Sequence, residues 1–305
     1  MNFDLTDDQE ALRDGIRAVC RGRFTSERVR AGFDRAVWDE LAATGVFSLV
    51  ADGFAWADAA IAFEELGRAV VPGPLAWGVL AHGLVDGVPT GLARPAGGPA
   101  MVEHLAASDA VLVLDGAAVR QMPAAAVNGE LLDWPLDPLT PITRVDPLPE
   151  GDVLAAADAA AWRRQGAVLT AAFEAGMAHA CVEAATEYAL GRKQFDRPIG
   201  SFQAIKHLLA DAVVRAEVAR TAVHAAAVTL DDPEVGDVDR AIAGAKLLAG
   251  EAALKNAKTS VQVHGGMGFT WEVDAHLYLK RAWLLNTVFG TPDACADALA
   301  AGLPA

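Results

Sequence analysis

The feature that most constrains the fold is the second half of the chain, which reads as a succession of long helices. From Ala159 onward, apolar residues recur at helical spacing in four segments, and glycine-containing turns separate the segments. Alanine is abundant in these segments, and it favours helix formation and permits close helix approach. Four helices of this kind pack best as a bundle, so residues 159–305 are predicted to form a C-terminal four-helix bundle.

The first 87 residues are predicted to form an N-terminal helical domain. Thr6 can cap a helix, with Gln9 three positions later completing a capping box. A second helix should carry Val37 and Leu41 at helical spacing. A third helix is stopped by the sequence PGPLA at residues 72–76, because proline and glycine disfavour helix continuation.

Residues 88–158 differ in composition from the helical regions on either side. Proline and glycine are frequent there, and β-like pieces such as DAVLVLDG and PITRVDPL alternate with turn residues. This segment is predicted to form at most a small sheet, as a shortened middle β domain. The expected fold class is therefore mainly α, with an N-terminal helical domain, a reduced middle β segment and a C-terminal four-helix bundle.

Charge and hydropathy argue against nucleic-acid and membrane partners. The chain has 40 Asp and Glu against 25 Lys and Arg, whereas nucleic-acid binders concentrate basic residues on one face. The uncharged run at residues 69–85 contains Pro72 and Pro74, which would break a membrane helix. The N-terminus lacks the basic and apolar regions of a signal peptide, so we expect a cytoplasmic protein.

Metal and hydrolase signatures are missing from the sequence. The bundle has no Glu-x-x-His pair of the kind that holds di-iron centres, and its scattered histidines are typical of packing or surface residues. Cys20, Cys181 and Cys295 are widely spaced without a CxxC pair, so buried free thiols are expected rather than a disulfide or zinc cluster. No Gly-x-Ser-x-Gly elbow occurs, although a triad assembled from distant residues stays open.

Two turn sequences are the most informative for chemistry. YALGRKQFDRPIGSFQAIKHLLAD, residues 188–211, ends one helix with a basic pair and an aromatic residue and starts the next helix at Ser201. There, Arg192 can bind a phosphate oxygen and Phe195 can offer an apolar face to a ring. VQVHGGMGFTWE, residues 261–272, places three glycines between two helices, where they can end a helix or let a ligand approach the backbone closely.

These turns resemble those of the acyl-CoA dehydrogenase family. The first is similar to the family's R-x-Q/T-F-G-x-P-I-G-x-F-Q turn between the first two bundle helices, and the second to its Q-x-x-G-G-x-G turn. FDLTDDQEALRDGIRAVC resembles the family's opening helix, and FEELGRAVVPGP resembles the end of its N-terminal helical domain. The matches follow the family's order over nearly the whole chain, so the resemblance implies the family's fold.

The resemblance also implies a cofactor and a reaction. Family members are oxidoreductases of lipid metabolism that bind FAD and acyl-CoA and desaturate the acyl chain between its α and β carbons. In family dimers, the adenosine and pyrophosphate end of each flavin reaches into the neighbouring subunit. For each residue that the resemblance assigns to FAD binding, helix capping or packing is the alternative role. The residues implied to bind FAD are Arg192 and Phe195 at the pyrophosphate and adenine, Gln203 nearby, and Gln262, Gly265 and Gly266 at the diphosphate or ribitol region.

The positions that supply the family's catalytic base carry no carboxylate in this chain. The Glu of the usual Y-E-G-T-S sequence corresponds to Phe289, and the base of some relatives corresponds to Gly166. Glu174 lies two turns further along the same helix and is a weak alternative, since geometry precedes pKa in the choice of a base. The middle segment also lacks the T-E-P-x-A-G-S-D and W-I-T/S motifs that cover the flavin ring. We therefore expect no catalytic base in this chain.

These departures affect only one half of the flavin site. The residues that would face the reactive flavin ring are missing, whereas those that would face the adenosine end of a neighbouring subunit's flavin are kept. This favours a subunit that completes the FAD site of a catalytic acyl-CoA dehydrogenase partner, in an α2β2 heterotetramer with the acyl-CoA substrate mainly in the partner. The chain resembles the base-lacking subunit of heteromeric actinobacterial dehydrogenases of steroid and cholesterol degradation. Two alternatives are a homo-oligomeric dehydrogenase whose base is Glu174 or a middle-segment residue, and a flavin-free scaffold subunit.

Overall fold

Five helices form the N-terminal part of the chain, which the computed structural model describes over residues 4–301. The helices are Asp7–Arg23 (α1), Ser26–Arg30 (α2), Arg35–Ala43 (α3), Trp56–Arg68 (α4) and Leu75–Leu80 (α5). The predicted capping box at the start of α1 is confirmed. The Gln9 N–H donates to Thr6 Oγ1 over 3.3 Å, and the Thr6 N–H donates to Gln9 Oε1 over 3.1 Å.

Seven short strands follow and form two sheets. They are Pro89–Ala93 (β1), Ala100–Glu103 (β2), Ala110–Asp115 (β3), Ala118–Pro123 (β4), Glu130–Leu131 (β5), Ile142–Val145 (β6) and Asp152–Val153 (β7). One sheet has the order β1-β3-β4-β7 and the other β2-β6-β5, and apolar side chains such as Val102 and Val111 share a small core. The predicted small β content of this segment is confirmed, and it is divided between two sheets. Strands of two to six residues pair across long sequence separations, which local patterns do not reveal.

Four helices form the predicted C-terminal bundle, and a further helix follows it. They are Ala159–Gly191 (α6), Gln203–Asp231 (α7), Val238–His264 (α8), Ala275–Leu285 (α9) and, after the bundle, Pro292–Ala301 (α10). The helical pattern of the fourth segment runs to Phe289, but α9 ends earlier. The chain turns at Phe289 and Gly290, where φ is +52° and +128°. The sequence did not predict α10.

The N-terminal helices and the bundle share one hydrophobic core, because α4 and α6 lie almost in backbone contact. A Cβ on Gly176 would lie 1.9 Å from the Glu64 carbonyl oxygen, and a Cβ on Gly67 would lie 2.0 Å from the Phe173 carbonyl oxygen. Neither position accepts a larger residue without moving a helix. Small residues in both helices therefore fix the position of the N-terminal helices against the bundle.

The cysteines are buried free thiols, as predicted, at Cys20, Cys181 and Cys295. Within residues 4–301, no group of three or more His, Cys, Asp or Glu side chains is placed to hold a metal ion. None of the helices in that range is long and apolar enough to cross a membrane.

Candidate functional site

The two turns singled out in the sequence lie at the same end of the bundle, where α6 and α8 end. The Tyr188 ring of α6 stacks on the His264 ring of α8, with ring centroids 4.3 Å apart. The Tyr188 hydroxyl also donates to Met267 Sδ over 3.7 Å, within the glycine-rich turn. These contacts bring the turn after α6 next to the turn after α8.

Phe195 lies at the tip of a hairpin that follows α6. Lys193–Gln194 (β8) pairs antiparallel with Arg197–Pro198 (β9), which leaves Phe195 and Asp196 as the two turn residues. Their φ angles are +53° and +61°, a left-handed conformation that aspartate tolerates and that is uncommon for a bulky residue such as phenylalanine. The Phe195 ring is 87% exposed. The hairpin therefore holds an aromatic ring away from the core of the chain.

Arg192 and Gln203 lie on either side of this hairpin, and both side chains are exposed. Arg192 follows α6, and its guanidinium has no hydrogen-bond or ion-pair partner among residues 4–301. Gln203 is the first residue of α7. The helix begins later than the predicted Ser201 because a single 3-10 turn, Ile199–Ser201, precedes it. Both side chains are thus available to a molecule outside this chain.

The glycine-rich turn ends α8 and exposes its backbone, as the sequence predicted for a helix end. Gly265 has φ +62° and ψ −138°, which a side chain would disfavour. A Cβ on Gly265 or Gly266 would meet no atom within 4 Å, and Gln262 on the preceding turn is exposed. Gly268 differs, because a Cβ there would lie 2.6 Å from the Val261 carbonyl oxygen. Gly268 therefore serves packing, whereas Gly265 and Gly266 leave open space for a ligand.

The two positions that the resemblance assigns to a catalytic base pack against each other. A Cβ on Gly166 would lie 2.3 Å from the Phe289 ring, so the ring occupies the space that a side chain at residue 166 needs. The Phe289 ring also lies 4.9 Å from the Trp77 ring, centroid to centroid. Aromatic and apolar atoms fill the place where the resemblance predicts a carboxylate.

Glu174, the weak alternative base, is fully buried and paired with Lys246. Lys246 Nζ lies 3.1 Å from both Glu174 carboxylate oxygens and donates to the Leu285 carbonyl over 3.0 Å. Burial raises the pKa of Glu174 above its ordinary value, and the Lys246 ammonium opposes that rise. Glu174 lines neither of the two cavities beside Phe289. Its contacts are those of a structural ion pair between α6 and α8.

Two cavities lie beside Phe289, next to the middle sheets and the bundle. An outer cleft has a volume of about 550 Å³ and an inner cavity about 50 Å³. Both are lined by Trp77, Glu103, Val288 and Phe289. The outer cleft is otherwise mainly apolar, with Arg163 as its basic residue among those described. Such an apolar cleft with a few polar groups is typical of a small-molecule site.

Sequence reasoning missed two charged residues of the inner cavity, Glu103 at the end of β2 and Arg281 in α9. Arg281 is 3% exposed and interrupts an otherwise apolar helical face. Its position within an apolar helical pattern could have identified Arg281 from the sequence, because charged residues are rarely buried without a partner. Glu103 gives no comparable signal, because it ends its strand next to a turn.

The chain is similar to known proteins over most of its length. The family model described as "Acyl-CoA dehydrogenase, C-terminal domain" matches residues 163–303. The chain is 35% identical to the acyl-CoA dehydrogenase IpdE2 of Mycobacterium tuberculosis, over 87% of this chain and 85% of that protein. Its fold is similar to that in the crystal structure of the ChsE4-ChsE5 complex from Mycobacterium tuberculosis, with a TM-score of 0.83 and 24% identity over the full length of both chains. It is also similar to the steroid ACAD Tcur3481-Tcur3483, with a TM-score of 0.79 and 22% identity over 97% of each chain.

Proposed function

The chain belongs to the acyl-CoA dehydrogenase family, and on this premise we propose that it completes the FAD site of a catalytic partner subunit without supplying a base. One observation carries the proposal. The Phe289 ring packs onto Gly166 where a base is expected, while Arg192, Phe195 and the glycine-rich turn remain exposed at the end of the bundle.

The exposed end of the bundle fits the adenosine and diphosphate half of FAD. The Arg192 guanidinium, which has no partner among residues 4–301, can hold phosphate oxygens. The open backbone at Gly265 and Gly266 lets a diphosphate approach closely. The Phe195 ring offers a flat face to adenine, and Gln203 and Gln262 can donate hydrogen bonds nearby. FAD supplies the acceptor for the hydride that leaves the acyl β carbon.

Local charge supports an anionic ligand at this end of the bundle. The hairpin sequence RKQFDR, residues 192–197, has three cationic side chains and one carboxylate, although the whole chain has a net charge of −15. A positive patch on an acidic protein attracts an anion such as a diphosphate. The exposed Phe195 ring beside this patch adds an apolar contact, which suits a nucleotide better than a simple inorganic anion.

Two of the similar structures support a partner and a substrate class. One is a complex of two different proteins, ChsE4 and ChsE5, and the other is named as a steroid ACAD. By analogy, we propose an α2β2 heterotetramer in which the partner binds most of a steroid-derived acyl-CoA and supplies the carboxylate that removes the α proton. In this arrangement the present chain binds and positions the cofactor end farthest from the reacting carbons.

The flavin content of the chain alone and with its partner tests the proposal. We expect the lone chain to be colourless or insoluble, and the complex co-purified with a catalytic acyl-CoA dehydrogenase subunit to hold one FAD per heterodimer. Visible absorbance and protein concentration give this ratio. The chain expressed with an unrelated subunit serves as the control. Stoichiometric FAD on the lone chain, together with reduction of an artificial acceptor by an acyl-CoA, would show a self-sufficient dehydrogenase instead.

The substitution Phe289→Glu tests whether this chain lacks a pocket for the flavin ring as well as a catalytic base. We expect turnover per bound FAD in the complex to stay unchanged, because a carboxylate at residue 289 does not create a pocket for the flavin ring. Steady-state rates with an acyl-CoA accepted by the complex measure this, with Phe289→Leu as the control. Additional turnover in the Phe289→Glu complex, or new activity in the lone chain, would contradict the half-site arrangement.

A further inference from the structure

The loop that follows β5 exposes large apolar side chains to solvent. Trp134 is 93% exposed, Leu131 is 58% exposed and Leu136 is 53% exposed. These three residues belong to the sequence ELLDWPL, residues 130–136, which we call the Trp134 segment. Contact between water and so much apolar surface is unfavourable, and exposed apolar patches mark sites that another molecule covers. The Trp134 segment is therefore a candidate interaction surface.

The Trp134 segment is held to the core at its C-terminal end. Asp137, the next residue, is 1% exposed, and its carboxylate accepts hydrogen bonds from Arg281 Nε of α9 and, over 3.0 Å, from the Leu139 N–H. Pro135 has a fixed φ angle and disfavours a helical backbone at Trp134. Because the segment is already constrained in the free chain, little conformational entropy is lost when a partner covers it.

Helix α9 connects the Trp134 segment with the proposed flavin surface. Arg281, which anchors the segment through Asp137, is the seventh residue of α9 and lies about 9 Å along the helix axis from Ala275. The glycine-rich turn ends at Phe269, six residues before Ala275. The two surfaces are therefore joined by one short helix. An interface of standard size, about 800 Å² and so roughly 30 Å across on each partner, is wide enough for both.

The charges of the Trp134 segment indicate the kind of surface that fits it. Glu130 and Asp133 are exposed, and their carboxylates have no hydrogen-bond or ion-pair partner among the residues described. Arg144 lies opposite Glu130 on β6, but its guanidinium is already 3.9 Å from the Asp146 carboxylate. The segment contains no lysine or arginine. Negative charge therefore borders its apolar side chains, and the complementary surface is an apolar groove with a basic rim.

This charge argues against a second copy of the chain and against a lipid surface. The chain has a net charge of −15, so covering the segment with another copy would bring like charges together. Anionic lipid surfaces attract basic segments and repel acidic ones. The half-site arrangement already requires one different protein to contact this chain, which is the catalytic subunit. A basic rim on that subunit would attract the segment.

We propose that the Trp134 segment docks this chain to the catalytic partner subunit, with Trp134 inserted into an apolar groove that has a basic rim. Leu131 and Leu136 flank the ring and complete the apolar contact. Trp134 is the central anchor, because tryptophan is enriched among the few residues that dominate binding energy. The inference rests on the proposed half-site function for the identity of the partner. The segment lies outside the residues proposed to bind FAD, so it contributes to assembly.

Hydroxyl-radical footprinting of the purified complex, read by mass spectrometry, tests whether the segment is covered. Trp77 and Trp162 are each 5% exposed and serve as internal standards for a buried tryptophan. In the complex, we expect Trp134 to be oxidised about as slowly as these two residues. If nothing covers it, Trp134 will be oxidised faster than any other tryptophan of the chain, and this result would contradict the docking role.

Dissociation of the complex on dilution tests the energetic role of Trp134. Trp134→Ala should raise the concentration of half-dissociation by about 30-fold or more, the effect expected of a residue at the centre of an interface. Sedimentation velocity over a dilution series measures this concentration. Because the side chain is almost fully exposed, the substitution should leave the thermal unfolding of the chain unchanged. A midpoint equal to that of the unmodified complex overturns the proposal.

Phe54→Ala is the matched control for Trp134→Ala. Phe54 is an aromatic residue that is 49% exposed. It lies two residues before Trp56, whose N–H donates to Asp231, the last residue of α7, at the opposite end of that helix from the hairpin. The control should keep the midpoint within about twofold, because exposed residues outside the centre of an interface contribute little to binding.

Photocrosslinking identifies the occupant and separates this proposal from the half-site function. In the complex, Leu136→p-benzoylphenylalanine should crosslink to the catalytic subunit, whereas a crosslink between two copies of this chain would refute the proposed partner. FAD per heterodimer is measured on the same samples. A complex that lacks FAD but still requires Trp134 to assemble contradicts the half-site function alone. A complex that holds FAD and is unaffected by Trp134→Ala contradicts the docking segment alone.

Discussion

Replacing Arg192 with alanine is expected to weaken FAD binding by the assembled complex by about 10- to 100-fold. A hydrogen bond to a charged group contributes about 1.5–3 kcal/mol, and no partner among residues 4–301 competes for the Arg192 guanidinium. Because the Arg192 guanidinium makes no hydrogen bond or ion pair with the described residues, its removal should change the free energy of unfolding little. Flavin retained after dialysis and fluorescence titration of the released cofactor measure the affinity.

The matched control for this experiment is Arg240→Ala. Arg240 is also exposed, but it lies near the start of α8, at the opposite end of that helix from the glycine-rich turn. Its removal should leave flavin content and turnover unchanged. Gln262→Ala should act in the same direction as Arg192→Ala, with a smaller loss because an amide carries no charge. Unchanged flavin content and turnover in both site variants would favour the flavin-free scaffold.

Features set by neighbouring residues were predictable from the sequence. The Thr6 and Gln9 capping box is a local pattern of four residues, and the helix end at Gly265 follows from the intrinsic freedom of glycine. The long helices of the bundle were also predictable, because their apolar residues recur at helical spacing many times. The sequence also located the exposed turns after α6 and α8.

Features set by distant residues were not predictable in this way. The contact between Phe289 and Gly166 joins residues more than a hundred positions apart. The inner cavity is lined by both Glu103 of β2 and Arg281 of α9, which are far apart in the sequence. Sequence patterns identify such residues one at a time, but their roles depend on a tertiary arrangement that a single sequence does not display.

Glu174→Ala is expected to lower the free energy of unfolding by about 3–5 kcal/mol, because it leaves the Lys246 ammonium buried without its carboxylate. Lys246→Met should be similarly destabilising. The double variant Glu174→Leu/Lys246→Met should recover most of the loss, since it leaves no unpaired charge in the interior. Urea unfolding followed by circular dichroism gives the three values.

An exposed pair on α8 provides the control for the buried pair. Glu251 and Lys255 are about half exposed and form an ion pair one turn apart, so Glu251→Ala should cost about 0.3–0.5 kcal/mol. The conservative change Glu174→Gln separates structure from catalysis. A base at Glu174 predicts a folded complex of normal stability that has lost turnover, whereas the ion pair predicts lower stability with turnover retained in the folded fraction. Because both Glu174 oxygens already contact Lys246, we expect the second result.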